Sequence, residues 1–134
     1  MSAFVWSLAG GPVSWSSKKQ SCVALSTAEV EYVALTHAAQ EGIWIRNSLL
    51  AMHLPCPSIS TDNLAAKSLA ENDSIHGWAK HIDIHYHFIC SHVESGVFII
   101  SHVSGPLNSA DLLTKPLSHP VFLSHVSRLG LVSR

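Results

Sequence analysis

The 134 residues are 47% hydrophobic and only 13% charged, against roughly 25% charged in an average soluble protein, with a net charge of -1 and a mean hydropathy of +0.25. That length suits one domain with a real core and is short for two, and the near-neutral balance excludes an overall basic field, so any nucleic-acid binding needs a local patch. No apolar run approaches the roughly 18 residues that cross a bilayer, and Met1-Ser2-Ala3-Phe4 lacks the basic start of a secretory signal, so the expectation is an intracellular protein without a membrane contact.

In chain order, residues 3–7 and 12–16 predict two short strands joined through Ala9-Gly10-Gly11, a hairpin signal, and Lys18 and Lys19 mark an exposed turn. From Ser26 the pattern becomes helical. Ala28, Tyr32, Leu35, Ala39, Gly42 and Leu49 recur at three- and four-residue steps, which predicts a helix over 26–52 that stops before Pro55. Ser58-Ile59-Ser60-Thr61 reads as a strand ending at Asp62, and a short helix through Leu64, Ala65, Leu69 and Ala70 is broken by Asn72-Asp73-Ser74.

Ile82, Ile84, Tyr86 and Phe88 alternate as in a strand, yet Ile82, Tyr86, Ile89 and Val93 fit a helix and carry the pattern past strand length. A helix ended by Gly96 is the expectation. Residues 97–103 predict a strand, 109–113 a short helix stopped at Pro116, and 121–129 a terminal helix closed by Gly130, within a helical tail over 118–134. Strands and helices so ordered describe a mixed α/β domain with a hairpin entering its sheet, one domain over 1–134.

Four carboxylates stand where chemistry is possible. Glu29 and Glu31 are separated by about 200° around a helix and cannot both serve one site. Glu31 falls on the apolar stripe, where a carboxylate costs desolvation unless a metal or partner neutralises it; a partly exposed rim position is the equal alternative. Glu29 completes a capping box with Ser26. Asp62 ends a strand, where open α/β sheets place ligands, or else caps the next helix. Asp111 follows Asn108 at a helix start, where a carboxylate is favourable for structural reasons alone.

Three strings taken together, Ser26-Thr27-Ala28-Glu29-Val30-Glu31-Tyr32, Lys80-His81-Ile82-Asp83-Ile84-His85-Tyr86-His87-Phe88 and Ala110-Asp111-Leu112-Leu113-Thr114-Lys115-Pro116, resemble the ribonuclease H domain at the C-terminal end of copia-type retrotransposon Pol polyproteins. The resemblance covers nearly the whole chain. It implies a ribonuclease H-like mixed sheet flanked by helices, and cleavage of the RNA strand of an RNA-DNA hybrid by two-metal hydrolysis with Mg2+ or Mn2+. Glu31, Asp62 and Asp111 match the second, third and fourth acidic positions of that active site, and are its implied catalytic and metal-binding residues. Lys18, Lys19, Lys80, His102 and Asn108 are the implied substrate contacts, and the reverse transcriptase portion of the same polyprotein is an implied partner.

The chain departs from the family at its start. No Asp or Glu precedes Glu29, so the first, central strand and the aspartate it carries have no counterpart, and the expectation is a sheet interrupted there and a chain inactive in isolation. Trp78-Ala79 and His85 also replace positions that are commonly basic, which lowers positive charge where phosphates approach. The alternative is a non-catalytic remnant or a nucleic-acid or protein interaction module. Of the ten histidines, His81, His85 and His87 with Asp83 would share one face of a strand as a zinc constellation, whereas on a helix only His81 and His85 pair; solvated helix residues are the preferred reading. Cys22, Cys56 and Cys90 have no C-x-x-C spacing and read as free thiols.

Overall fold

The computed structural model describes residues 1–19, 27–55, 57–64, 67–68 and 80–132, with the backbone alone at 27–29, 80–83 and 86. β1 (Ser2–Leu8) and β2 (Gly11–Lys18) pair antiparallel, Leu8 opposite Gly11. The two turn residues both take positive φ, +51° at Ala9 and +85° at Gly10, the backbone that matches strand twist in a two-residue hairpin. A bulge between Trp6 and Ser7 shifts the register.

α1 (Thr27–Ala51) is the long helix that the periodicity predicts. It stops with His53 at φ +57° and the Leu54 N–H returned to the Leu49 carbonyl at 2.9 Å, just before Pro55. Tyr32, Leu35, Ala39, Ile45 and Leu49 of its stripe form the core with Trp6, Ile59, Ile89, Phe98 and Ile100. β3 (Ser58–Thr61) and β4 (Ile99–His102) are parallel, Ile59 beside Ile100.

Between them runs α2 (Lys80–Glu94), so the alternating apolar residues there are helical and the strand reading fails. Gly96 at φ +69° follows its last turn, the left-handed conformation that a helix end takes most readily with glycine. The short helix expected through Leu64, Ala65, Leu69 and Ala70 lies mostly outside the described residues. Residues 109–113 form a 3-10 turn rather than an α-helix, and α3 (His119–Arg128) begins two residues earlier than expected, with Pro120 in its first turn where a missing N–H costs nothing.

In keeping with a sheet interrupted at its centre, there are two separate two-stranded sheets, β1-β2 and β3-β4, among the described residues. Between β1 and β3 lies a cavity of 680 Å³, floored by Leu35, Ala38, Ile45 and Leu49 of α1. The chain is thus mixed α/β with small sheets and three described α-helices. No described helix is long and apolar enough to cross a membrane.

Candidate acidic site

Three elements end close to one another at the N-terminal half of α1. β3 delivers Asp62 immediately after Thr61, whose hydroxyl accepts the Asn63 N–H at 3.2 Å and so makes the local turn. The Asp62 carboxylate takes another bond: the Asn108 side-chain amide donates to Oδ1 at 3.1 Å, across 46 residues of sequence. Asn108 meanwhile accepts the Ala110 N–H at 3.2 Å through its own side-chain oxygen, so Asn108 caps the 3-10 turn that carries Asp111. One side chain thereby orients Asp62 and starts the Asp111 turn.

Asp111 is relieved of capping and pairs instead with Lys115, Nζ to Oδ2 at 2.6 Å, one helical turn on. The lysine is exposed and the carboxylate mostly sheltered, at 55% and 18% side-chain exposure, so the pair is screened on one side only. Asp111 in turn holds the Lys115 ammonium above its usual range by hydrogen bonding.

Glu31 is half-buried on α1. Burial raises its proton affinity first, and the negative charges of Asp62 and Asp111 raise it further, with Lys115 opposing. Those two repulsions mean that carboxylates from a helix, a strand end and a 3-10 turn share one electrostatic field. The donor types, all hard oxygens, suit Mg2+ or Mn2+. Their placement does not yet close around an ion: among the described residues no three His, Cys, Asp or Glu side chains stand close enough to hold one.

Of the substrate contacts implied by the resemblance, Lys18 and Lys19 are exposed, and Ser17 Oγ donates to the Leu113 carbonyl at 2.7 Å, which brings the end of β2 beside the Asp111 turn. His102 is exposed at the end of β4, opposite Thr61 in the register. The side chains of Lys80 and Glu29, and the capping partner Ser26, lie outside the described residues. Lys115 joins the site through Asp111-x-x-x-Lys115, an i,i+4 pair legible in the sequence but carrying no role in the family resemblance. The zinc reading loses its geometry because α2 is a helix; the His85 ring instead meets His37 edge-on at 6.2 Å. Cys90 is a buried thiol, its Sγ 4.0 Å from the Tyr32 hydroxyl.

Comparison with curated proteins finds transposon polyproteins and, over a shorter stretch of 44 residues at 54% identity (33% of this chain, 31% of that protein), "Secreted RxLR effector protein 161" of Plasmopara viticola. The chain is 41% identical over 123 residues to "Retrovirus-related Pol polyprotein from transposon RE1" of Arabidopsis thaliana, covering 90% of this chain and 8% of that protein. It is 39% identical over 114 residues to the polyprotein "from transposon TNT 1-94" of Nicotiana tabacum, covering 84% of this chain and 9% of that one. A second Arabidopsis thaliana polyprotein, "from transposon RE2", is 39% identical over 124 residues, 90% of this chain and 8% of its own length. The chain therefore spans less than a tenth of each of these three polyproteins, and it is homologous to a segment of transposon Pol polyproteins. No family model and no solved structure matches it.

Proposed function

We propose that this chain is the ribonuclease H-type portion of a copia-type retrotransposon Pol polyprotein, descended from an enzyme that hydrolyses the RNA strand of an RNA-DNA hybrid. Glu31, Asp62 and Asp111 are its Mg2+ or Mn2+ ligands, and the reverse transcriptase portion of the polyprotein is its partner. The observation that carries the reading is that Asn108 ties Asp62, at the end of a strand, to the 3-10 turn that bears Asp111, and that both carboxylates add to burial in raising the proton affinity of Glu31 on α1, a cost that a divalent cation relieves. When bound, such an ion supplies charge neutralisation at a phosphodiester and an activated water.

The chain's own residues would divide the remaining work. Asn108 holds Asp62 in orientation through its amide. Lys115 neutralises Asp111 until a cation or a phosphate displaces it, at small cost because the lysine is exposed. Lys18, Lys19 and His102, all exposed, would meet the backbone of a nucleic acid. Three carboxylates supply at most about -3 against about +4 for two divalent ions, and β3, which carries Asp62, is not paired to the β1-β2 hairpin, so the 134-residue chain alone would bind metal weakly and leave a hybrid uncut.

Manganese binding followed by paramagnetic relaxation tests the ligands. Binding by the wild type that weakens in both Asp62→Asn and Asp111→Asn supports the reading, and equal binding by all three defeats it. Metal-dependent cleavage of an RNA-DNA hybrid by the 134-residue chain, lost in Asp62→Asn, would overturn the inactivity and keep the site.

A further inference from the structure

Away from the acidic site, α1 and α2 bring two histidines together. The Tyr32 hydroxyl meets the Cys90 thiol, and the centre of the His37 ring lies 6.2 Å from that of His85. Five residues forward along α1 thus match five residues back along α2, so the helices run antiparallel and the histidines face each other about 7.5 Å further along than the buried contact of Tyr32. His37 is also turned about 240° around α1 from Glu31, which puts the pair on another face than the carboxylates. Both rings are half-buried, on helices whose backbones are fixed through Tyr32, Leu35 and Ile89 of the core. Side chains carried on such rigid elements hold their relative positions.

Edge-to-face rings at 60° make a favourable contact by themselves, but the spacing also suits a metal. Zinc bound to imidazole nitrogen at about 2.0–2.1 Å holds two ring centres roughly 5 Å apart in a tetrahedral site, and roughly 6.4 Å apart when the rings stand opposite. The separation of 6.2 Å falls at the wide end of that range. Tetrahedral ligation therefore asks for an approach of about 1 Å and a turn of one ring about its Cβ–Cγ bond, which is a soft torsion. An entry path exists on the side of His37. With Lys18, Gln40 and Glu41 it lines a cleft of 410 Å³ between α1 and the hairpin, where Glu41 accepts the Ser14 hydroxyl at 2.7 Å and supplies a negative charge one helical turn from His37.

We infer that His37 and His85 form a transition-metal site that clasps α1 to α2. Its ions are of the borderline class, Zn2+ first, which prefers imidazole, whereas the oxygens of the acidic site prefer Mg2+ or Mn2+. Among the described residues no third His, Cys, Asp or Glu stands close enough to join the pair, so water completes the coordination. Because the unfolded chain does not preform the pair, an ion held between the two helices stabilises the folded chain.

The test uses the 134-residue chain in excess Mg2+, which occupies carboxylates in preference to imidazoles. Calorimetric titration should find one Zn2+ bound more tightly than any other, and Zn2+ should raise the Tm. Both effects should be lost in His37→Gln and in His85→Gln. They should persist in His119→Gln, where an exposed histidine of α3 is removed, and in Asp62→Asn, which makes the outcome independent of the acidic site. His85→Phe keeps a ring at the contact, so it should match the wild type in EDTA and lose the zinc effect. Undiminished zinc binding by His37→Gln overturns the inference, since the ion would then be held along α2 alone through His81 and His85. A wild-type Tm that Zn2+ does not raise overturns it as well.

Discussion

The indole N–H of Trp6 donates to the main-chain carbonyl of Ala38 at 3.1 Å, fastening β1 to the middle of α1. The bond is buried, and the Phe98 ring lies 6.4 Å from the indole on the side of β4. Both rings sit over Gly42: a methyl group there would meet Trp6 at 2.5 Å and Phe98 at 2.9 Å. Hairpin, helix and the approach to β4 thus meet at one glycine.

Gly42→Ala should therefore destabilise the chain by about 1–3 kcal/mol, because overpacking outweighs the gain in helix propensity. Trp6→Phe should cost about 1–3 kcal/mol through the lost indole hydrogen bond and the lost ring. Urea denaturation reads both, and a neutral Gly42→Ala would mean that the two rings do not pack on this helix.

Ala9 takes a left-handed backbone at φ +51° in the hairpin turn. For alanine this costs about 1 kcal/mol, which asparagine largely avoids. Ala9→Asn should stabilise the chain by about 0.5–1 kcal/mol, measured by the same denaturation; a loss of stability would show that the turn has a different shape in solution.

Glu31 predicts a pH dependence of definite sign. Its folded proton affinity exceeds the ordinary value, so the native state binds the proton more tightly than the unfolded chain does. The penalty of ionising it is absent below the ordinary glutamate range, grows as pH rises through that range to the raised folded value, and is constant above. In EDTA, Glu31→Gln should gain stability over wild type at neutral pH and lose that gain in acid. A difference between the two proteins that does not change with pH would contradict the repulsion.

Lys115→Met removes the cation beside Asp111 at a site more than half exposed, so its effect on stability should be under about 1 kcal/mol. Manganese should bind more tightly to this variant, since an internal competitor for Asp111 is gone. Unchanged or weaker manganese binding would indicate that Lys115 assists the site instead of occupying it.

Much of this architecture was legible because its causes are local. The stripe through Tyr32, Leu35, Ala39 and Leu49, the stop at Pro55, Gly96 and Gly130 in left-handed conformations, and the helix over 80–94 all follow from periodicity and end chemistry within a few residues. The 3-10 form of residues 109–113 did not, because Asn108 caps a turn too short to complete an α-helix before Pro116. The positions of Glu31, Asp62 and Asp111 could be named from a family resemblance, but Glu31 alone reads equally well as a rim residue and Asp62 alone reads better as a helix cap.

What the sequence by itself determined is the set of elements, their order, and the residue types available for a site, since helix faces, turns and caps depend on near neighbours. Only the tertiary structure decided that Asn108 reaches Asp62 across 46 residues, that Lys115 occupies Asp111, that Asp62 and Asp111 add to burial in raising the cost of ionising Glu31, and that two small sheets leave a slot between β1 and β3. Those relationships join distant segments, whose meeting depends on how the apolar face of α1 gathers Trp6, Ile59 and Phe98 into one core. No local pattern encodes the distance between elements that are brought together only by burial against a shared helix.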